Sequence, residues 1–341
     1  MMNKVVSIIV GEYNSESFIE KNVRSLLNQT YKNIEILLYD DASTDLTREI
    51  MKKMQAEFPD KIRIFYSDEN KGVGYGRNYC LDQAKGEYIL FMDHDDYIHD
   101  SYVERVLKFA EKNPECDIVY TGFTSVDDTG KIRYIRRFKN KEMALRQSIP
   151  LFAKLYKRQF LIKNQLKSCE GRVMEDILYQ GGLEISAPNI IVYDYPFYYY
   201  VFNRKSIKNT VFLKFQEGIL EKSYKYLKEI KQKKALTQEQ KQVISYYSFY
   251  FTCWYLLKTG AYVTKQDMIL EYRKAFLILE RDFHEFKRNP NISFFKPKGT
   301  KILVRIVLMF ILILYKLRLL ELFFKVYSSK GFFFRKLWPE L

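Results

Sequence analysis

Between residues 5 and 126, short apolar runs alternate with segments whose apolar residues recur every three or four positions. Val5 to Val10 reads as a buried strand, with Gly11-Glu12-Tyr13-Asn14 as turn chemistry directly after it. Ile19, Val23, Leu26 and Leu27 then repeat at helical spacing, behind Ser17 and Glu20 in the form of a capping box. Ile34 to Tyr39 predicts a second strand, Leu46, Ile50 and Met54 a helix, and Ile62 to Tyr66 a short strand. Asn70 to Asn78 is a glycine-rich loop opening a third helix, and Tyr88 to Met92 is a run too short for a typical helix. Val103, Val106, Leu107 and Ala110 mark another helix, Ile118 to Tyr120 a strand, and Asp127-Asp128-Thr129-Gly130 a hairpin turn. This alternation predicts an α/β fold with a mainly parallel sheet and crossover helices.

Two of these strands stop abruptly in acids. Tyr88 to Met92 runs into Asp93-His94-Asp95-Asp96, and Ile34 to Tyr39 into Asp40-Asp41-Ala42-Ser43-Thr44-Asp45. Ligands of open α/β sheets sit beyond the carboxyl ends of the strands, so the acids belong to one cleft. Carboxylates so close repel one another unless a cation is shared, and oxygen-only ligation favours Mg²⁺ or Mn²⁺. The alternative is a solvated turn with Asp96 or Asp100 capping the next helix. His94 reads as a spacer, because neighbouring residues at a strand end face opposite ways. The glycine loop lacks the spacing of a dinucleotide fingerprint, but its Arg77 is a fixed cation at a helix start, suited to a phosphate. Glu175-Asp176 opens a later apolar helical stretch, where the acids serve either chemistry or the helix dipole.

Composition adds a gradient. The 341 residues are 47% hydrophobic, enough for one large core with a smaller domain or for two modest ones. The net charge is +15, yet the first hundred residues carry −6 and the other 241 carry +21. A basic excess suits nucleic acid, an anionic membrane or phosphorylated substrates, but the cleft is acidic and no nucleic-acid motif is present. Cys80, Cys116, Cys169 and Cys253 lie too far apart for a zinc site or a disulfide scaffold, which points to a reducing compartment. The first apolar run is too short for a signal peptide. Residues 215 to 290 read as helices, with a Tyr/Phe-rich packing segment from Tyr246 to Leu257. Ile306 to Tyr315 is ten apolar or aromatic residues, half of what a bilayer span needs. Nine basic and two acidic residues between 297 and 341 predict a helix or helix pair lying in an anionic membrane interface, with Phe332 to Phe334 and Trp338 as anchors. The competing expectation is a buried core helix or an oligomerisation helix of a homo-oligomer.

The ordered motifs resemble those of family two inverting glycosyltransferases of the GT-A fold, common in bacterial cell-surface polysaccharide synthesis. The carriers are Ser7 to Asn14, with Gly11 where proline is usual, and Asp40 to Asp45. Asn70 to Asn78 follows, with Gly76 in place of alanine, then Asp93 to Asp96 and Glu175-Asp176. The resemblance implies a Rossmann-like nucleotide-sugar domain over 1–214; beyond it, pattern and composition alone predict a helical domain over 215–296 and a basic apolar tail over 297–341. It implies that Gly11 and Tyr13 flank the base, Asp41 accepts from the uracil imide, and Asn70 and Arg77 approach the nucleotide. Asp93 would lie near ribose and phosphates, Asp95 would ligate Mn²⁺ or Mg²⁺, and Arg204 and Ser206 would touch the diphosphate. Asp176 is the candidate base, since inversion needs one carboxylate to deprotonate the acceptor hydroxyl while the metal-held diphosphate leaves without a second acid. The implied partners are a UDP-sugar donor and a glycan or lipid-linked acceptor at the cytoplasmic face of the membrane. The alternative is a nucleotide-binding module of the same fold without turnover.

Overall fold

The computed structural model describes residues 4–147, 150–168, 175–186, 189–202, 213–215, 217–233 and 235–329. It divides into two compact units, Met1–Ala144 with Ser148–Arg172 and Ser186–Asn203, and Leu145–Gln147 with Val173–Ile185 and Arg204–Leu341.

The first unit begins with strands β1 (Val6–Glu12), β2 (Ile34–Asp41), β3 (Ile62–Ser67) and β4 (Tyr88–Asp93), joined by helices α1 (Ile19–Leu27), α2 (Thr47–Glu57) and α3 (Val73–Gln83). β1 lies between β2 and β4 and is parallel to both, and β3 continues the sheet beyond β2. Every residue of β2 is buried, as expected of a parallel strand covered on both faces. Truncating one of its core side chains, such as Leu38, costs about 2–5 kcal/mol.

At the opposite end of these strands, Glu35 accepts from the Ser7 hydroxyl and the Lys85 amide, both at 2.6 Å, and from Arg63 at 3.0 Å. Gly86 stands so close that an added Cβ would meet the Ser7 side chain, so this knot fixes where β4 starts. The Ser17–Glu20 capping box does not form. Ser15 turns the chain by accepting from the Phe18 and Ile19 amides, and Glu20 is taken by Arg24 four residues on.

The remaining elements of this unit are β5 (Tyr97–Ile98), α4 (Tyr102–Glu111), β6 (Ile118–Thr121), β7 (Phe123–Val126), β8 (Ile132–Arg136), α5 (Lys141–Gln147, whose last three residues belong to the second unit), β9 (Lys154–Lys157), α6 (Arg158–Lys163), β10 (Ile190–Tyr193) and β11 (Tyr198–Val201). They complete a seven-stranded sheet, β10-β6-β9-β4-β1-β2-β3, in which β9 runs antiparallel to both neighbours. A four-stranded sheet, β5-β11-β7-β8, stands beside it. Its β7–β8 hairpin turns at Asp127 to Gly130, where Asp127 accepts from the Thr129 and Lys131 amides and Gly130 adopts φ +86°.

The second unit is helical: α7 (Glu175–Ile185), α8 (Ile219–Lys233), α9 (Gln238–Gly260), α10 (Lys265–Asp282), α11 (Ile302–Lys316) and α12 (Leu320–Ser329). The Tyr/Phe-rich segment is the buried middle of α9, whose start carries a complete Thr237–Gln240 capping box. Gly181 and Gly182 let α7 close on its neighbours, since a Cβ on Gly181 would lie 3.2 Å from Tyr247 and one on Gly182 would meet Tyr226. Among its described residues the basic apolar tail forms two helices, broken at Arg318, which takes φ +60°.

Candidate active site

Register alone assembles the rim. Pairing of β1 with its neighbours sets Glu12 opposite Asp40 and Gly11 opposite Asp93, so the strands bearing acids flank β1 about 10 Å apart, two strand spacings. Asp41 closes the glycine loop over this edge: its two carboxylate oxygens accept the amides of Lys71 and Gly72, each at 2.7 Å. Each oxygen retains a second lone pair for another donor. Gly72 makes the turn at φ +89°, a region few side chains tolerate, and Asn70 donates to the Asp41 carbonyl at 3.3 Å. The departures from the familiar motifs have local causes. A Cβ on Gly76 would sit 2.6 Å from the Tyr39 ring, and one on Gly11 meets Val73 at 3.3 Å. Tyr13 stands exposed at the mouth, beside Asn14, whose side-chain oxygen accepts the Thr44 amide at 2.9 Å.

The acidic turn after β4 divides its labour. Arg77, buried, donates to Asp93 at 2.7 Å. Asp96 is buried too, and accepts from the Tyr198 hydroxyl at 2.6 Å and the Val201 amide at 2.8 Å. Burial and the charges of Asp95 and Asp93 push its pKa up against those two hydrogen bonds. It therefore ties the turn to β11 and does not cap a helix; α4 has Ser101 at its N-cap position and no side-chain cap. Asn22 on α1 grips the turn from below, donating to the carbonyls of Asp93 at 3.0 Å and Asp96 at 2.9 Å. Asp95 is half-buried between them.

Glu12 was legible only as turn chemistry, yet it is a buried carboxyl at this rim. One oxygen accepts from Ser15 at 2.5 Å, and the other has no hydrogen-bond partner among the described residues. Burial pushes its pKa up to about 7, against the charge of His94 and the Ser15 hydroxyl, with Asp40 and Asp95 adding to the rise. The signal was present in the sequence: strand alternation puts Glu12 on the face of Ile8 and Val10.

Asp176 belongs to the second unit, in the first turn of α7, with its side chain half-buried. The far end of that helix is anchored by Glu184, which pairs with buried Arg146 and accepts from Tyr247 at 2.9 Å. Arg204, Ser206, Phe332 to Phe334 and Trp338 lie outside the described residues, as does the Glu175 side chain.

Among the described residues no three His, Cys, Asp or Glu side chains could hold a metal by themselves. The carboxylates of Asp93 and Asp95 are oxygen donors of the kind that Mg²⁺ and Mn²⁺ take in ones or twos beside waters and substrate phosphates.

A mainly parallel α/β sheet whose carboxyl rim gathers acids beside a glycine loop is a domain of GT-A architecture. Residues 7–174, just under half of the chain, match the model of glycosyl transferase family 2. EpsE of Bacillus subtilis, named as a glycosyltransferase, is 38% identical over 125 residues, covering 37% of this chain and 45% of EpsE. TuaG of Bacillus subtilis, named for teichuronic acid biosynthesis, is 33% identical over 126 residues, 37% of this chain and 49% of TuaG. The chain thus spans about half the length of these relatives. The fold is shared with S. aureus TarS 1-349 in complex with UDP-GlcNAc, at TM-score 0.58 and 20% identity over 86% of this chain and 95% of that one.

Proposed function

We propose that the chain is a metal-dependent, inverting glycosyltransferase that moves a hexosyl or N-acetylhexosaminyl group from a UDP-sugar to a glycan or lipid-linked acceptor. It acts in cell-surface polysaccharide synthesis, peripherally at the cytoplasmic face of the membrane. The observation that carries this reading is the convergence of Asp41, Asp93 and Asp95 on one strand rim, with Arg77 paired to Asp93. The relatives' names supply the polysaccharide context, and the nucleotide sugar named with TarS suggests the donor class.

In this reading Tyr13 and Gly11 border the base, and Asp41 receives the uracil imide on lone pairs that the glycine loop does not use. Asn70 and Arg77 orient the nucleotide, Asp93 stands by ribose and phosphates, and Arg204 and Ser206 meet the diphosphate. Asp95, with Asp93 beside it, would hold Mg²⁺ or Mn²⁺. When bound, the metal supplies positive charge to the departing diphosphate. Asp176 takes the proton from the acceptor hydroxyl, and Arg146–Glu184 fixes the helix from which it does so.

The test is a thermal-shift screen of nucleoside diphosphates and UDP-sugars with and without Mn²⁺, followed by transfer assays. UDP with metal is expected to raise the melting temperature, and EDTA to abolish the rise. Asp176→Asn should cut transfer by about 10²–10⁴-fold with UDP affinity kept. No shift with any nucleoside diphosphate would sink the proposal, and UDP binding without transfer across a broad donor panel would leave a binding module.

A further inference from the structure

Helix α11 turns its apolar side outward. Val304, Leu308, Ile311 and Leu312 pack inside the second unit, as a helix of a globular protein requires. The opposite side should then be polar. It holds Ile302, Leu303, Ile306, Phe310, Ile313 and Leu317 instead, each 40 to 60% exposed. At 3.6 residues per turn these six fall within an arc of about 100°, and no polar residue of the helix lies inside it. The stripe continues onto α12, where Leu322 and Val326 are exposed and Phe323 packs against Phe310 with ring centres 5.6 Å apart. Phe295, just before these helices, is 79% exposed. So continuous an apolar surface marks a docking site.

Length and charge choose the occupant. α11 has 15 residues, about 22 Å, short of the roughly 30 Å of a bilayer core, and no helix among the described residues is long and apolar enough to cross one. From 297 to 329 the sequence has six cations and one acid, Glu321, which already bridges Arg273 and Lys325. Arg305 and Lys316 lie within about 60° of the Ile302 edge of the stripe. A second copy docking on this face would bring two like-charged rims together. Anionic headgroups complement the rim while acyl chains receive the stripe.

We propose that α11 and α12 form a membrane-docking face, lying in the plane of an anionic bilayer with Ile306, Phe310 and Ile313 inserted at the headgroup–acyl boundary. This deepens the peripheral placement in the proposed function, but it rests on this surface alone and not on the nucleotide site. The inserted residues are not among those assigned to that site, so docking and nucleotide binding are separately measurable.

The test uses the full chain and vesicles of phosphatidylcholine with or without phosphatidylglycerol. Flotation is expected with the anionic vesicles, weakening as salt rises, and not with phosphatidylcholine alone. The combined variant Ile306→Ser, Phe310→Ser, Ile313→Ser should bind at least tenfold more weakly, with its melting temperature and UDP response retained. Phe310→Trp should shift its emission to the blue on adding anionic vesicles. The proposal is overturned if wild type stays unbound, if the triple variant floats equally well, or if the Phe310→Trp emission does not change. It is overturned also if the triple variant turns a dimer into a monomer without altering flotation, since the stripe would then belong to a second copy.

Discussion

Arg77 and Asp93 form an ion pair at 2.7 Å in which the guanidinium side chain is 5% exposed and the carboxylate side chain 28%. A cation so enclosed cannot recover solvation when its partner is removed. Asp93→Ala is therefore expected to cost about 3–5 kcal/mol, more than truncation of an exposed acid on the same rim. Urea denaturation of Asp93→Ala beside Asp68→Ala, an exposed acid directly after β3, checks this, and equal losses would mean that the pair holds nothing.

Glu12 makes stability depend on pH. Its pKa is raised from the usual 4.5 to about 7, chiefly by burial, so the folded chain holds this proton more tightly than the unfolded chain. The stabilisation is complete below about pH 4.5, is lost as pH climbs towards 7, and changes no further above that; over about 2.5 units it amounts to roughly 3 kcal/mol. Glu12→Gln should flatten this contribution, raising stability at pH 8 and leaving pH 4.5 unchanged. Denaturation curves from pH 4.5 to 8 in EDTA measure it, and parallel profiles of wild type and variant would refute it.

Tyr198→Phe tests how the acidic turn is held. It removes the hydroxyl that donates to buried Asp96, across 102 residues of chain. An expected loss of about 1–3 kcal/mol reflects the carboxyl left short of a donor. Thermal melts of the single variant and of Tyr198→Phe with Asp96→Asn should show non-additivity of at least about 0.5 kcal/mol; simple addition would disconnect the two side chains.

Gly76→Ala restores the residue usual in similar motifs and should still be harmful here. Alanine improves helix propensity by about 1 kcal/mol, but its Cβ would sit 2.6 Å from the Tyr39 ring. Overpacking of this kind costs about 1–3 kcal/mol and should leave the variant less stable. Adding Tyr39→Leu should recover part of the loss in a thermal melt, and no recovery would place the conflict elsewhere.

The strands were readable because burial on both faces forces unbroken apolar runs, and acids that interrupt such runs are conspicuous. The loop from Asn70 to Asn78 was readable through its glycines. Long-range partnerships were not. Nothing near Asp96 announces Tyr198 or Val201, and nothing near Asn22 announces the carbonyls of Asp93 and Asp96. The antiparallel β9 escaped notice because its Lys-Leu-Tyr-Lys sequence carries cations into a central strand. The Ser17–Glu20 box failed for a local reason: Arg24, one helical turn beyond Glu20, competes for the same carboxylate.

One amide on α1 clasps both ends of the segment from Asp93 to Asp96. The curvature of that acidic turn is consequently dictated from outside it, by a helix some seventy positions earlier in the chain. Exchanging His94 for another residue should leave the path of the backbone intact, whereas exchanging Asn22 should re-aim every carboxylate there without altering a single acid.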